Sequence, residues 1–383
     1  MEHFLTKLKI DNLRHLKNID IVLSETERQH LLLTGKNGSG KTSVLEALRD
    51  CLTASVISKN PNPREIFDSE KFINDVAKSG LQIVFNTTQN IEQDFISGKF
   101  ILAYFPAGRK ADVILPKGVE DIKFKNFYHI DQDPAQNLMK YMVHLKTQQA
   151  YARQANDSAT EAEIQAWFER FEKALSVLLD NDTISLEYDY KNYNFLIHQT
   201  GRIPFGFNEL SDGYSSVIQI MSGIMLRMER NWLLEGNLNA YDLEGIVLID
   251  ELETHLHIEL QRKILRFLVS AFPRVQFVVS THSPYILTSV PNATIYDLEK
   301  NVVFTDMSNY SIDNVAEAYF DSEDYSIEME KKLSEYKILL EKSSPTDDER
   351  IRRAELRTEF KNISGTLAER IKSEFDELEA RRQ

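Results

Sequence analysis

Four short segments carry residues whose types and spacing fit phosphate chemistry: 35–42, 210–215, 246–251 and 280–284. In Gly35-Lys36-Asn37-Gly38-Ser39-Gly40-Lys41-Thr42 the pattern G-x-x-x-x-G-K-[ST] is complete. Its glycines permit a tight turn whose successive N–H groups face an anion at a helix N-terminus. Lys41 then reaches the β- and γ-phosphates of a nucleotide, and the Thr42 hydroxyl is a ligand for Mg²⁺. ATP-binding residues are therefore expected from Gly35 to Ser43. The run Ile246-Val247-Leu248-Ile249 ends in Asp250-Glu251. A carboxylate at the end of a buried strand suits the Mg²⁺ shell (Asp250), and the next one suits a general base for attacking water (Glu251). Two solvated acids closing a strand are the plain alternative. Val275–Val279 leads into Ser280-Thr281-His282-Ser283-Pro284, where His282 could hydrogen-bond a γ-phosphate or the water. Ser211, Asp212, Gly213 and Tyr214 open an apolar helix. They form either an ordinary helix cap or an anion site.

These segments need a scaffold of a particular kind. His30–Thr34 reads as a buried strand before the phosphate loop, and Ser43–Leu48 as the start of a helix after it. Apolar runs buried on both faces belong to parallel sheets, whose C-terminal ends hold ligands in α/β folds. Strands are expected near 5–23, 81–85, 100–105, 183–196 and 295–304. Helices are expected over 135–155, 161–179, 214–226, 311–319, 325–341 and 346–380.

The order phosphate loop, L-S-x-G, apolar-Asp-Glu, Thr-His resembles the nucleotide-binding domain of the ABC ATPase superfamily. Asp212, the segment Leu252–His257, the form Thr281-His282-Ser283-Pro284 and the opening Leu5–Leu23 resemble its soluble branch of RecF-like, SMC-type and OLD-family ATPases. The resemblance implies an α/β P-loop NTPase: an ABC ATPase head with an antiparallel β subdomain, an inserted helical lobe and a C-terminal helical extension. It implies ATP as substrate with Mg²⁺, and Glu251, His282 and Lys41 as catalytic residues. It also implies a head-to-tail homodimer or higher homo-oligomer in which Ser211, Asp212, Gly213 and Tyr214 act in trans, with 253–257 near the seam. The expected boundaries are an ATPase domain over 1–310 and a charged extension over 311–383. Within the first, a core lobe covers 1–80 and 240–310, and an inserted lobe covers 81–239.

Many members resembling this chain are components of anti-phage defence systems of the OLD, Septu or PARIS kind. The leading expectation is a sensor or scaffold subunit whose nuclease or toxin effector is a separate protein, since no nuclease signature is evident here. The alternative is a RecF/SMC-like repair ATPase that binds DNA in an ATP-dependent way. The glutamine that senses γ-phosphate in such heads has no evident counterpart; Arg109 is a substitute candidate, or a solvated turn residue.

Composition narrows the classes. With 59 acidic against 45 basic residues the net charge is -14, which opposes indiscriminate coating of nucleic acid. One cysteine, Cys51, excludes intrachain disulfides. No apolar run approaches bilayer length and the N-terminal residues lack a signal peptide's layout, so a cytoplasmic protein without membrane contact is expected. His255 and His257, two apart on a helix, would face different sides and make a poor metal pair. In the charged tail, Ile327, Leu333, Ile338 and Leu340, then Leu356, Phe360, Ile363, Leu367, Ile371, Phe375 and Leu378, form stripes. They either pack a helical hairpin on its own domain or dock another protein.

Overall fold

A computed structural model of the chain describes residues 2–57, 80–109, 113–120, 122, 124–235, 241–309, 327–342, 345–361, 375 and 378–379. It divides into two units, Met1–Asn309 and Tyr310–Gln383.

The first unit is built on a six-stranded sheet in the order β12-β11-β3-β10-β9-β5. Its strands are β3 (His30–Thr34), β5 (Phe100–Phe105), β9 (Glu244–Ile249), β10 (Val275–Ser280), β11 (Ala293–Asp297) and β12 (Val302–Thr305). All neighbours are parallel except the β11–β12 pair. Every residue of β3, β10 and β11 is buried, as continuous apolar runs require when both faces of a parallel sheet are covered. A second, antiparallel sheet joins β1 (Leu5–Leu13), β2 (Leu16–Val22) and β4 (Leu81–Phe85) in the order β2-β1-β4.

Helix α1 (Lys41–Ile57) lies in the core shared by the two sheets. Its Val44, Leu45, Leu48 and Leu52 are fully buried, in one cluster with Leu8, Ile10 and Ile21 of the hairpin and Leu31, Leu33, Leu248 and Val278 of the main sheet. A helix that is apolar around most of its circumference belongs in such a sandwich. The burial fixes where its N-terminus, and hence the phosphate loop, must sit. Cys51 is a buried member of this core.

Helix α2 (Ile91–Ser97) leads into β5. Because β4 pairs with β1 and β5 pairs with β9, the stretch 81–105 belongs to the two core sheets. The expected inserted lobe therefore begins after Phe105, not at 81. It comprises α3 (Leu138–Ala155), α4 (Ser158–Leu179), a small sheet β6-β7-β8 (Ser185–Asp189, Asn194–His198, Phe205–Gly206) and the entry to α5 (Asp212–Glu235). The α3–α4 turn needs a left-handed residue and an N-cap. Asn156 supplies φ 56°, and the Asp157 carboxylate accepts from Thr160 N–H at 3.2 Å. After β9 come α6 (Ile258–Ala271) and the short α7 (Pro284–Leu287).

The second unit holds α8 (Ile327–Glu341) and α9 (Asp347–Lys361). Leu333, Tyr336, Leu339, Leu356, Phe360, Phe375 and Leu378 bury one another in a core of their own. Most described members of the tail stripes are thus consumed within this unit, while Ile338 stays 67% exposed. The helix expected over 311–319, and Ile363, Leu367 and Ile371, lie outside the described residues. No helix of the described residues is long and apolar enough to cross a membrane.

Candidate functional site

The phosphate loop spans the step from β3 to α1. Gly40 adopts φ 100°, and a Cβ there would come within 2.9 Å of Leu16 Cδ1 and 3.3 Å of the His15 ring. The β1–β2 turn thus presses on the loop, and only glycine fits. Lys41 is buried, its ammonium donating to the carbonyls of Gly35 (2.8 Å) and Lys36 (3.2 Å). Burial lowers its pKa, with Glu251, Glu253, Asp250 and Asp297 opposing that shift. Lys36, Asn37, Gly38 and Thr42 are exposed, and Gly35, Ser39 and Gly40 half-buried, whereas Ser43 turns into the core.

The ends of β9 and β10 and the first turn of α1 meet at Asp250. Thr42 Oγ1 donates to its Oδ2 at 2.9 Å, and Ser280 Oγ donates to its Oδ1 at 2.5 Å. Ser280 Oγ also accepts the Glu251 N–H at 2.7 Å. One β10 hydroxyl thereby positions both acids that close β9. A hydroxyl and a carboxylate in direct contact form a hard-oxygen pair suited to Mg²⁺, which keeps several waters and takes few protein ligands. Among the described residues no group of three or more His, Cys, Asp or Glu is arranged for a metal, and His255 and His257 are both exposed.

Glu251 stands at φ 45°, a left-handed conformation costly for a residue with a Cβ. Arg109 holds it there. Its buried guanidinium donates to the carbonyls of Asp250 (2.6 Å), Glu251 (3.0 Å), Leu252 (3.1 Å) and Pro106 (3.1 Å). Burial lowers its pKa to about 10, against the pull of Glu253, Asp250 and Glu251, so it stays charged. Arg109 is therefore not a solvated turn residue: 5% of it is exposed, and its two terminal nitrogens are spent on four carbonyls of its own chain.

His282 follows β10. Its backbone N–H donates to the Glu253 carboxylate, and its Nε2 is buried with no partner among the described residues. Burial and the Lys41 charge lower its pKa, which favours the neutral ring at pH 7.

The signature residues stand on the first turn of α5, where Ser211 and Asp212 are exposed, Tyr214 is half-buried and Gly213 is buried. A Cβ on Gly213 would approach the His255 carbonyl oxygen to 2.4 Å, so this turn rests directly on the segment 252–257 of its own chain. That segment is a series of turns, Thr254 N–H to Glu251 O (3.0 Å) and Leu256 N–H to Glu253 O (2.9 Å), pinned by buried Leu252 and Leu256.

The sequence marked Ser280 and Glu253 only as members of their segments, without these contacts, and gave His15 no role. Each acts through a contact with a motif residue far away in the chain. His15 and Leu16, with Lys36, Asn37, Glu299 and Asn301, line a cavity of about 520 Å³ beside the phosphate loop. His15 Nε2 lies 3.1 Å from Ser39 O.

Fold and site define a P-loop ATPase with the motif order of the soluble ABC type. The family described as "AAA domain, putative AbiEii toxin, Type IV TA system" matches residues 31–288, more than half of the chain, and the chain belongs to it. Among curated relatives, the Septu protein PtuA of Bacillus mycoides is 26% identical over 78% of this chain and 41% of its own length. The Retron Vc95 probable ATPase of Vibrio cholerae is 26% identical over 71% of this chain and 69% of its own. The alignment with PtuA thus spans less than half of that relative. Among solved structures, an Smc head bound to the C-winged helix domain of ScpA overlays with a TM-score of 0.42 at 12% identity, covering 77% of this chain and 94% of that one.

Proposed function

We infer that the chain hydrolyses ATP at a site shared by two copies arranged head to tail, and that it serves as the sensor or scaffold subunit of an anti-phage defence complex whose nuclease or toxin effector is a separate protein. The observation that carries the ATPase reading is the cluster Thr42–Asp250–Ser280 with Glu251 one residue on, beside the buried Lys41. The defence reading leans on the similarity to Septu PtuA and a retron ATPase.

In this mechanism the loop 35–43 receives the triphosphate, and Lys41 exchanges the Gly35 and Lys36 carbonyls for β- and γ-phosphate oxygens. The cavity at His15 and Asn301 takes base and sugar. Thr42 and Asp250 would hold Mg²⁺, which would supply positive charge to offset that of the phosphates. Glu251 accepts a proton from the attacking water as its oxygen bonds to the γ-phosphorus and the bond to the bridging oxygen of ADP breaks. Neutral His282 offers Nε2 to the water or the γ-phosphate. Ser211 and Gly213 of a second copy close the far side through the N–H groups of the α5 first turn.

Turnover in wild type beside Glu251→Gln tests the chemistry. The variant should retain ATP and lose about 100-fold or more in rate; equal rates would leave a scaffold that binds ATP without cleaving it. Co-expression with the neighbouring gene's product tests the assignment to a complex, and the absence of any complex would contradict it.

A further inference from the structure

Away from the nucleotide segments, helices α4, α5 and α6 enclose a cavity of about 570 Å³. That size falls in the range of about 300–1,000 Å³ typical of concave binding sites. Trp167 and Phe171 of α4, Met221 and Met225 of α5, and Phe272 line its floor. Five basic side chains also line it, Arg170 and Lys173 of α4 and Arg262, Lys263 and Arg266 of α6. Lys173, Arg262 and Arg266 are exposed, and Lys263 pairs with Asp180 at 2.6 Å. In a chain of net charge -14, a cationic ring around an apolar floor is complementary to an acidic ligand and unlike the rest of the composition.

We propose that this cavity docks an acidic segment of a partner protein through an aromatic or aliphatic anchor. A peptide suits it better than a nucleic acid strand. Trp167, Phe171 and Phe272 are only 1–2% exposed, so no broad ring face lies open for a base to stack on, whereas the lining Val177 is 43% exposed and offers an apolar anchor a contact. The Trp167 N–H is already taken by the Tyr241 hydroxyl at 2.6 Å and the Glu229 carboxylate at 3.3 Å, so it is not offered to a base edge. An apolar anchor asks for neither, and the basic rim meets its acidic flanks. The occupied state also has a route to the nucleotide. Helix α5 begins at the signature turn and α6 begins directly after the segment 252–257, so a ligand seated between them bears on both. This coupling rests on the ATPase reading above; the docking does not.

The test uses the full chain and three labelled probes followed by fluorescence anisotropy at physiological salt: poly(Glu,Tyr), poly-Glu and single-stranded oligo(dT). Two variants accompany it, Lys173→Glu with Arg262→Glu, which reverses the rim, and Ala174→Trp at a lining residue of α4, which fills the cavity without altering charge. Both should retain ATP, which reports that they fold. Poly(Glu,Tyr) should bind wild type at least about 10-fold tighter than poly-Glu, and each variant should weaken it about 10-fold or more. Saturating poly(Glu,Tyr) should change wild-type ATP turnover and leave Ala174→Trp unaffected. Equal binding of poly-Glu, binding indifferent to both variants, absence of binding, or oligo(dT) binding that the variants abolish would each overturn the docking. Docking without any change in turnover would overturn the coupling, whereas a wild type that hydrolyses no ATP even without peptide would sink the ATPase reading instead.

Discussion

At the scale of single residues, the unexpected actor is Arg109. It lies 141 positions from Asp250, yet its guanidinium holds the carbonyls of Asp250, Glu251 and Leu252. That anchorage brackets the left-handed Glu251, whose carboxylate accepts from Thr254 Oγ1 at 3.2 Å. Arg109→Lys keeps the charge but lacks a planar fork able to serve several acceptors at once. The expected outcome is retained ATP binding, turnover reduced about 10-fold or more, and a loss of roughly 2 kcal/mol in urea unfolding from stranded buried carbonyls. Unchanged turnover would show that Glu251 needs no such support. The motif residues were legible in the sequence because each motif is contiguous and its chemistry is local. The roles of Arg109, Ser280, Glu253 and His15 were not, because a basic turn, a strand-end serine or a hairpin histidine acquires meaning only from a neighbour supplied by the fold. The reading of Arg109 as a solvated turn residue failed for this reason.

At the scale of elements, two junctions govern behaviour. The first is where α5 starts against 252–257. Gly213→Ala would place a Cβ 2.4 Å from the His255 carbonyl oxygen, a distance that forces one segment to move. ATP should still bind, since the phosphate loop lies on other elements, while turnover and ATP-dependent association fall together; a fully active Gly213→Ala would contradict the role given to that turn. The second junction joins α3, α4 and α5 through the buried Glu229. Its carboxylate accepts from Tyr141 (2.5 Å), Tyr241 (2.9 Å) and Trp167 (3.3 Å). Burial raises its pKa from 4.5 to about 7, although those three donors pull the other way. Below the ordinary value the group is protonated in folded and unfolded chains alike. Between the two values only the folded chain keeps the proton, so its contribution is present at low pH and is lost as pH rises through about 7. Thermal stability should decline over this window by up to about 1.4 kcal/mol per pH unit, and Glu229→Gln should flatten the profile. Identical profiles for the two proteins would refute it. The strands and helices themselves were largely readable, since buried parallel strands and two-faced helices leave periodic signals. The start of the inserted lobe was not, because the pairing of β4 with β1 and of β5 with β9 is a long-range choice that no local pattern encodes.

At the scale of the whole molecule, each copy carries the phosphate loop, the two acids and His282 around one place, and an exposed signature turn at another. In the proposed dimer the second completes the first in a neighbouring copy. This rests on the geometry of one chain joined to the motif order of the soluble ABC type. The tail stripe that sequence left open between packing and docking is largely spent on the core of Tyr336, Phe360 and Phe375, so the search for a partner surface moves to the basic-rimmed cavity of the first unit. The most direct test of a shared site is complementation in a mixture. Lys41→Ala removes phosphate binding, Ser211→Arg blocks the signature turn, and each alone should be inactive. Mixed in equal amounts and allowed to exchange, half of the dimers carry both defects on opposite chains and retain one intact site of two. Turnover should recover to about a quarter of the wild-type rate. A mixture as inactive as its two components would contradict the claim that ATP is cleaved between two copies of this chain.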